Sequence, residues 1–261
     1  LNWTDEPQLR DGIGHGTFVA GVVVSQNRHC PGWAPDAELH VYRVFTNKQL
    51  SYTSWFLDAF NYAIWRGIHV LNLSIGGPDS GDRPFLEKIW ELTANNVVVV
   101  SAIGNDGPLY GTLNNPADQV DTIGVGGVTG GGGLARFSSR GMTTWELPFG
   151  YGRFKPDLTA QGQSVLGSKV APSGTTAAGH CRALSGTSVA SPVVAGAVAL
   201  LASLAPAPGA SPAAIKQALV EGAVRHAGSN IFEQGAGKLN VTASWEILER
   251  YSPRASFLPP V

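Results

Sequence analysis

The chain has 261 residues, 43% hydrophobic and 14% charged, with 18 Lys and Arg against 19 Asp and Glu and a net charge of −1. That length supports a large buried core, and the balanced charge gives no electrostatic basis for a nucleic-acid partner. The opening residues Leu1-Asn2-Trp3-Thr4-Asp5-Glu6 are too polar for a secretory signal. The longest apolar stretch, residues 189–205, is broken by Ser191-Pro192 and reads as a buried helix, so no membrane-spanning segment is expected.

In chain order, Gly14-His15-Gly16-Thr17-Phe18-Val19-Ala20-Gly21 opens a helix lined by Gly and Ala, whose small side chains let the imidazole approach a neighbouring element. Residues 39–44, 70–75, 97–103 and 122–125 are short, β-branched-rich runs without alternation, which suits strands buried on both faces of a parallel sheet. Between them, residues 53–66 carry Phe56, Phe60 and Ala63 on one helical face, and residues 84–95 carry Leu86, Ile89, Trp90 and Thr93. Alternating strands and helices imply right-handed crossovers, an α/β sandwich, and functional loops at the C-terminal strand ends. Residues 130–133 are four glycines with no helix after them, a surface hairpin rather than a phosphate cradle. Ser211-Pro212 marks a helix start, serine as N-cap and proline at the first helical position. Residues 1–250 read as one domain, and the aperiodic residues 251–261, with Pro259 and Pro260, as the start of a linker.

The two cysteines, Cys30 and Cys181, form one bridge or remain free thiols; their number does not decide. Each follows a histidine, His29 or His180, but adjacent residues rarely aim at one ion, so no metal site is assigned.

Three segments carry chemistry. Ser185-Gly186-Thr187-Ser188 precedes a long small-residue helix, which places the Ser188 hydroxyl at a helix N-terminus where developing negative charge is stabilised. The histidine motif supplies a general base, His15. Ser101-Ala102-Ile103-Gly104-Asn105 leaves a buried strand and puts the Asn105 amide where it can donate to an oxyanion.

Together these segments resemble the histidine, oxyanion-asparagine and serine boxes of the subtilisin (subtilase) superfamily. Asn72-Leu73-Ser74-Ile75-Gly76-Gly77 is similar to that family's substrate-binding strand, and Lys155-Pro156-Asp157 and Gly235-Ala236-Gly237-Lys238-Leu239-Asn240 to further landmarks. Residues 51–63, residues 105–116 and Cys181-Arg182-Ala183-Leu184 resemble the site-1 branch, whose members work in the lumen of the ER and Golgi.

The resemblance implies a subtilisin-like three-layer sandwich with a mostly parallel central sheet, lacking its N-terminal core strand. It implies a serine endopeptidase acting through an acyl-enzyme, with His15, Ser188 and Asn105 in the roles above. The family's third triad member, an Asp in a D-T/S-G box, lies well upstream of the histidine; His15 is too near the first residue for that box to be present, so a fragment of this extent should be weak or inactive. Ser74, Ile75 and Gly76 would bind the peptide substrate as an added strand. Ser101, Ala102, Ile103 and Gly104 would wall the P1 pocket, and their small apolar character favours an uncharged P1 side chain. The site-1 branch implies Arg at P4 and a hydrophobic residue, often Leu, at P1, for which Asp79 or Asp82 would pair with the Arg. Asp11 matches a position near the cleft. An inhibitory prodomain is an implied partner. No cofactor is required for the chemistry, and structural calcium is a family expectation without assigned ligands. The alternative is a catalytically inactive subtilase-fold binding module, which an intact D-T-G box upstream of His15 would argue against.

Overall fold

A computed structural model describes residues 1–78, 82–143, 153–171, 180–205 and 211–255. The elements run α1 (His15–Val24), α2 (Thr53–Trp65), β1 (Val70–Leu73), α3 (Arg83–Ala94), β2 (Val98–Ala102), β3 (Ile123–Val128), β4 (Gly141–Met142), β5 (Phe154–Lys155), β6 (Leu158–Gln161), β7 (Val165–Ser168), β8 (Cys181–Leu184), α4 (Thr187–Leu204), α5 (Pro212–Glu221), α6 (Ile231–Gln234) and α7 (Val241–Glu249). The central sheet is parallel, in the order β1-β2-β3-β6, with Val70 opposite Val98, Val100 opposite Ile123 and Val125 opposite Leu158.

Strand pleat divides the core in two. Val98 and Val100 face one apolar cluster with Phe18, Val194 and Leu201, while Val97 and Val99 face another with Phe56, Phe60, Phe85 and Ile89. Helices α1, α4, α5 and α7 therefore cover one face and α2 and α3 the other, the expected three layers. Both faces of β2 and β3 are buried throughout, which explains the unbroken apolar runs. Helix α4 is long and apolar enough to cross a membrane by composition, but 67% of it is buried within the protein, and it packs on β2, β3 and α1 as a core helix.

Caps fall where the sequence puts them. The Ser211 hydroxyl accepts from Ala214 N at 3.2 Å and Pro212 takes the first helical position. Thr129 N donates to Gly133 O at 2.8 Å, closing the glycine run into a turn between bridged Val128 and Leu134. Residues up to Arg254 stay on α5: Tyr251 Oη donates to Gln217 Oε1 at 2.7 Å, and Arg254 pairs with Glu221.

The expected strand at residues 39–44 does not form. That segment makes a single parallel bridge, Arg43 to Asn2, and leaves Leu39 and Val41 about half exposed. A strand needs a neighbour to satisfy its backbone, and among the described residues none pairs with this segment on the β1 side. The space is a cleft of about 1650 Å³ along the unpaired edge of β1, roofed by Val19 of α1 and Ala195 of α4.

Cys30 and Cys181 form a disulfide, with Cα atoms 6.1 Å apart and a sequence separation of 151, so neither is a free thiol or a metal ligand. The bridge ties the segment after α1 to β8, the strand that leads into the Ser188 motif. On the opposite flank, Lys155 is completely buried. Its ammonium donates to Gln119 O at 2.7 Å, Thr122 O at 3.0 Å and Asp157 Oδ2 at 2.7 Å, and Lys216 holds Asp157 Oδ1 at 2.9 Å. Burial pushes the Lys155 pKa down to about 7 against the pull of Asp157. Burial also opposes ionisation of Asp157, but Lys155 and Lys216 outweigh it and hold the carboxyl below its ordinary value.

Candidate active site

Three elements meet at the C-terminal end of the sheet. Helix α1 starts with His15, directly after Gly14 at φ 82°, a backbone conformation that glycine adopts freely. Asp11 organises that start. Its Oδ1 accepts from Ile13 N at 3.0 Å and Gly14 N at 2.6 Å, and its Oδ2 from Thr17 N at 2.9 Å and Thr17 Oγ1 at 2.6 Å. Burial disfavours the charged form of Asp11, but these four bonds outweigh it and lower its pKa. Arg182 donates to Gly14 O and its guanidinium lies 5.7 Å from the Phe18 ring centre, clamping the same turn from β8. His15 is half-buried. Burial, then the nearby positive charge of Arg182, lower its pKa against a smaller opposing effect of Asp11. The imidazole is therefore neutral at pH 7, as a general base must be.

Helix α4 starts at Thr187 after Gly186, whose φ of 152° is a conformation that residues with a side chain rarely adopt. A Cβ there would lie 3.1 Å from Ser188 Oγ, 3.6 Å from Asn105 Oδ1 and 3.7 Å from Asn105 Nδ2. The Ser188 hydroxyl and the Asn105 amide thus flank one glycine. Thr187 fixes the orientation of that amide: its N–H donates to Asn105 Oδ1 at 2.8 Å, and its hydroxyl lies 3.1 Å from the same oxygen and from Gly104 O. With Oδ1 anchored, Nδ2 is the end left to donate to a bound oxygen.

His15, Ser188 and Asn105 line one cavity of about 230 Å³. Ser74, Ile75 and Gly76 form one side of it and Ala102 and Gly104 another. Ser101 and Ile103 are fully buried and alternate away from it; Ser101 Oγ instead donates to Leu73 O at 3.2 Å. A relay missed in the sequence joins α4 to the strand leading into Ser74: Ser191 Oγ donates to Asn72 Oδ1 at 2.7 Å and Asn72 Nδ2 to Ser74 Oγ at 2.9 Å.

The acidic candidates fare differently. Asp11 has both oxygens engaged in the turn before α1. Asp82 is the N-cap of α3, accepting from Phe85 N at 3.4 Å, and its other oxygen accepts from Thr53 Oγ1 at 2.8 Å. Asp79 lies outside the described residues. Among the described residues no carboxylate is hydrogen-bonded to His15, and no group of three or more His, Cys, Asp or Glu side chains converges as a metal site. No residue is therefore assigned to calcium.

A serine at a helix N-terminus, a histidine with a lowered pKa and an oriented amide come together at the ends of parallel strands. The chain belongs to the Subtilase family, whose model matches residues 2–238. Within that family, it is 65% identical to the membrane-bound transcription factor site-1 protease of Rattus norvegicus over 99% of this chain and 24% of the relative. It is 59% identical to the subtilisin-like protease SBT6.1 of Arabidopsis thaliana over 100% of this chain and 25% of that relative. The chain thus spans about a quarter of the length of these curated relatives. Among solved structures, the protease domain of PatA carrying an S218A substitution matches with TM-score 0.78 and 27% identity, over 96% of this chain and 86% of that one. The resemblance to the site-1 branch read from the sequence holds.

Proposed function

We propose that this chain forms most of the catalytic domain of a serine endopeptidase of the site-1 type. The observation that carries the reading is the grouping of Ser188, His15 and an Asn105 amide whose oxygen is anchored by Thr187. Neutral His15 takes the Ser188 proton as Oγ attacks the scissile carbonyl. Asn105 Nδ2 and the Ser188 N–H stabilise the oxyanion, His15 returns the proton to the leaving amine, and water resolves the acyl-enzyme. The peptide lies along Ser74, Ile75 and Gly76 as an added strand.

His15 acts with a carboxylate delivered by a further strand. The cleft along the free edge of β1, which reaches His15, supports that reading, because an unpaired parallel edge with apolar walls accepts a strand. Losing the triad carboxylate lowers turnover by about 10⁴-fold, so residues 1–261 alone should be feeble. The substrates are precursors cut after R-x-x-L-like sequences in the lumen of the secretory pathway, and an inhibitory prodomain is a further partner of the full-length protein. Since both oxygens of Asp82 are engaged, the P4 Arg falls to Asp79. Structural calcium stays a family-level proposal without named ligands.

The test is hydrolysis of quenched peptides by the full-length protein. Cleavage after R-x-x-L, abolished in Ser188→Ala and with the P4 Arg preference lost in Asp79→Asn, is expected. Binding of these peptides without hydrolysis would favour the inactive binding module.

A further inference from the structure

We infer that Asn240 is an N-glycan acceptor, in the sequence Asn240-Val241-Thr242. This rests on the lumenal reading proposed above and gives it a modification site. The chain holds three Asn-x-Ser/Thr sequences, at Asn2, Asn72 and Asn240, and their amides are engaged differently. At Asn72 both ends are committed: Oδ1 accepts from Ser191 Oγ at 2.7 Å and Nδ2 donates to Ser74 Oγ at 2.9 Å, between β1 and α4. At Asn2, Oδ1 accepts from Thr4 N at 3.1 Å and Thr4 Oγ1 at 2.7 Å, and Nδ2 donates to Glu6 O.

At Asn240 the two amide atoms have separate tasks. Asn240 is the N-cap of α7, in an extended conformation, and its Oδ1 accepts from Ala243 N at 3.2 Å. Its Nδ2 bonds to no described residue and is not a buried, unpartnered atom, so it reaches water. Thr242, in the first turn of α7, is exposed. Transfer joins Nδ2 to the anomeric carbon of the first sugar of a lipid-diphosphate-linked oligosaccharide. The carbon–oxygen bond to the diphosphate breaks, the lipid diphosphate leaves with the electron pair, and Nδ2 gives up one proton. The linked amide keeps its carbonyl, so Oδ1 still caps α7 after modification. The position also leaves the chemistry free. Thr159 N donates to Gly237 O and Leu239 N to Thr159 O, both at 2.8 Å, so the segment before Asn240 lines β6, at the opposite end of the sheet from β1 and its cleft. The disulfide between Cys30 and Cys181 suits the same oxidising compartment.

The measurement uses the full-length protein made in eukaryotic cells. Trypsin cuts after Lys238 and Arg250, so the peptide of residues 239–250 holds Asn240 as its one acceptor sequence. Peptide-N-glycosidase in heavy-oxygen water converts a glycan-bearing Asn to labelled Asp. Most copies of this peptide should carry the label. Asn240→Asp, which keeps an N-cap acceptor, and Thr242→Ala, which leaves the cap untouched, should each run lower on a denaturing gel by one glycan. Thr242→Ser, which keeps the acceptor sequence, should run with the parent. An unlabelled peptide, or parent mobility in both Asn240→Asp and Thr242→Ala, would overturn the inference. The unreduced digest reads the compartment separately through Cys30 and Cys181. A bridged pair with an unlabelled peptide sinks only the role of Asn240; free thiols with an unlabelled peptide sink the lumenal reading as well.

Discussion

Thr187 illustrates how much of the site depends on a residue that acts through another side chain. Its N–H and hydroxyl both hold Asn105 Oδ1, so the amide reaches the reaction with Nδ2 already aimed. Removing the oxyanion amide itself should lower kcat about 10²–10³-fold, a magnitude established in subtilisin. Thr187→Val keeps the N–H but loses the hydroxyl. It should lower kcat of the full-length protein about three- to tenfold with KM nearly unchanged, as expected for an interaction felt in the transition state. A rise in KM alone would assign Thr187 to substrate binding. At this scale the sequence was most readable where a motif is local. Ser188, His15 and Asn105 each sit in a short small-residue run, and their contexts point to their roles without a fold. The Asn72–Ser191 relay was not readable, because its partners are far apart in the chain and come together only through strand order. The same holds for Asp82, whose acidic side chain looks free in sequence and is engaged by Thr53.

At the scale of elements, the ammonium of Lys155 is an internal cation that joins β5 to the loop before β3. Fully buried itself, it pairs with Asp157 and caps two carbonyls. Breaking such a buried pair from one side typically removes about 3–5 kcal/mol, since the remaining charge is stranded. Asp157→Asn should show this in urea unfolding, and a loss under about 1 kcal/mol would contradict it. The sign of the pH effect follows from the lowered Asp157 pKa. The unfolded carboxyl binds its proton first as pH falls, so stability is full above about pH 4 and is lost as pH drops through the lower folded value. Asp157→Asn should remove that acid limb. The strands and helices flanking these groups were legible as buried runs and amphipathic spacing. Residues 39–44 were misread as a strand, because composition reports what a segment could pair with and not whether a neighbour is there.

Across the whole molecule, the three layers bring the ends of β1 and β2 beside the first turns of α1 and α4, which is where an open parallel sheet holds its ligands. That placement was implicit in the alternation of strands and helices. The disulfide was not, since two cysteines admit either outcome, and only the fold sets Cys30 beside Cys181. The cleft along β1 reaches His15, to which no carboxylate is hydrogen-bonded among the described residues.

The most direct test of the central claim is the rate of fluorophosphonate labelling of the full-length protein, compared with its Ser188→Ala variant. The account predicts covalent labelling confined to Ser188 and absent from Ser188→Ala. Equal labelling of both proteins, or none of either, would contradict it.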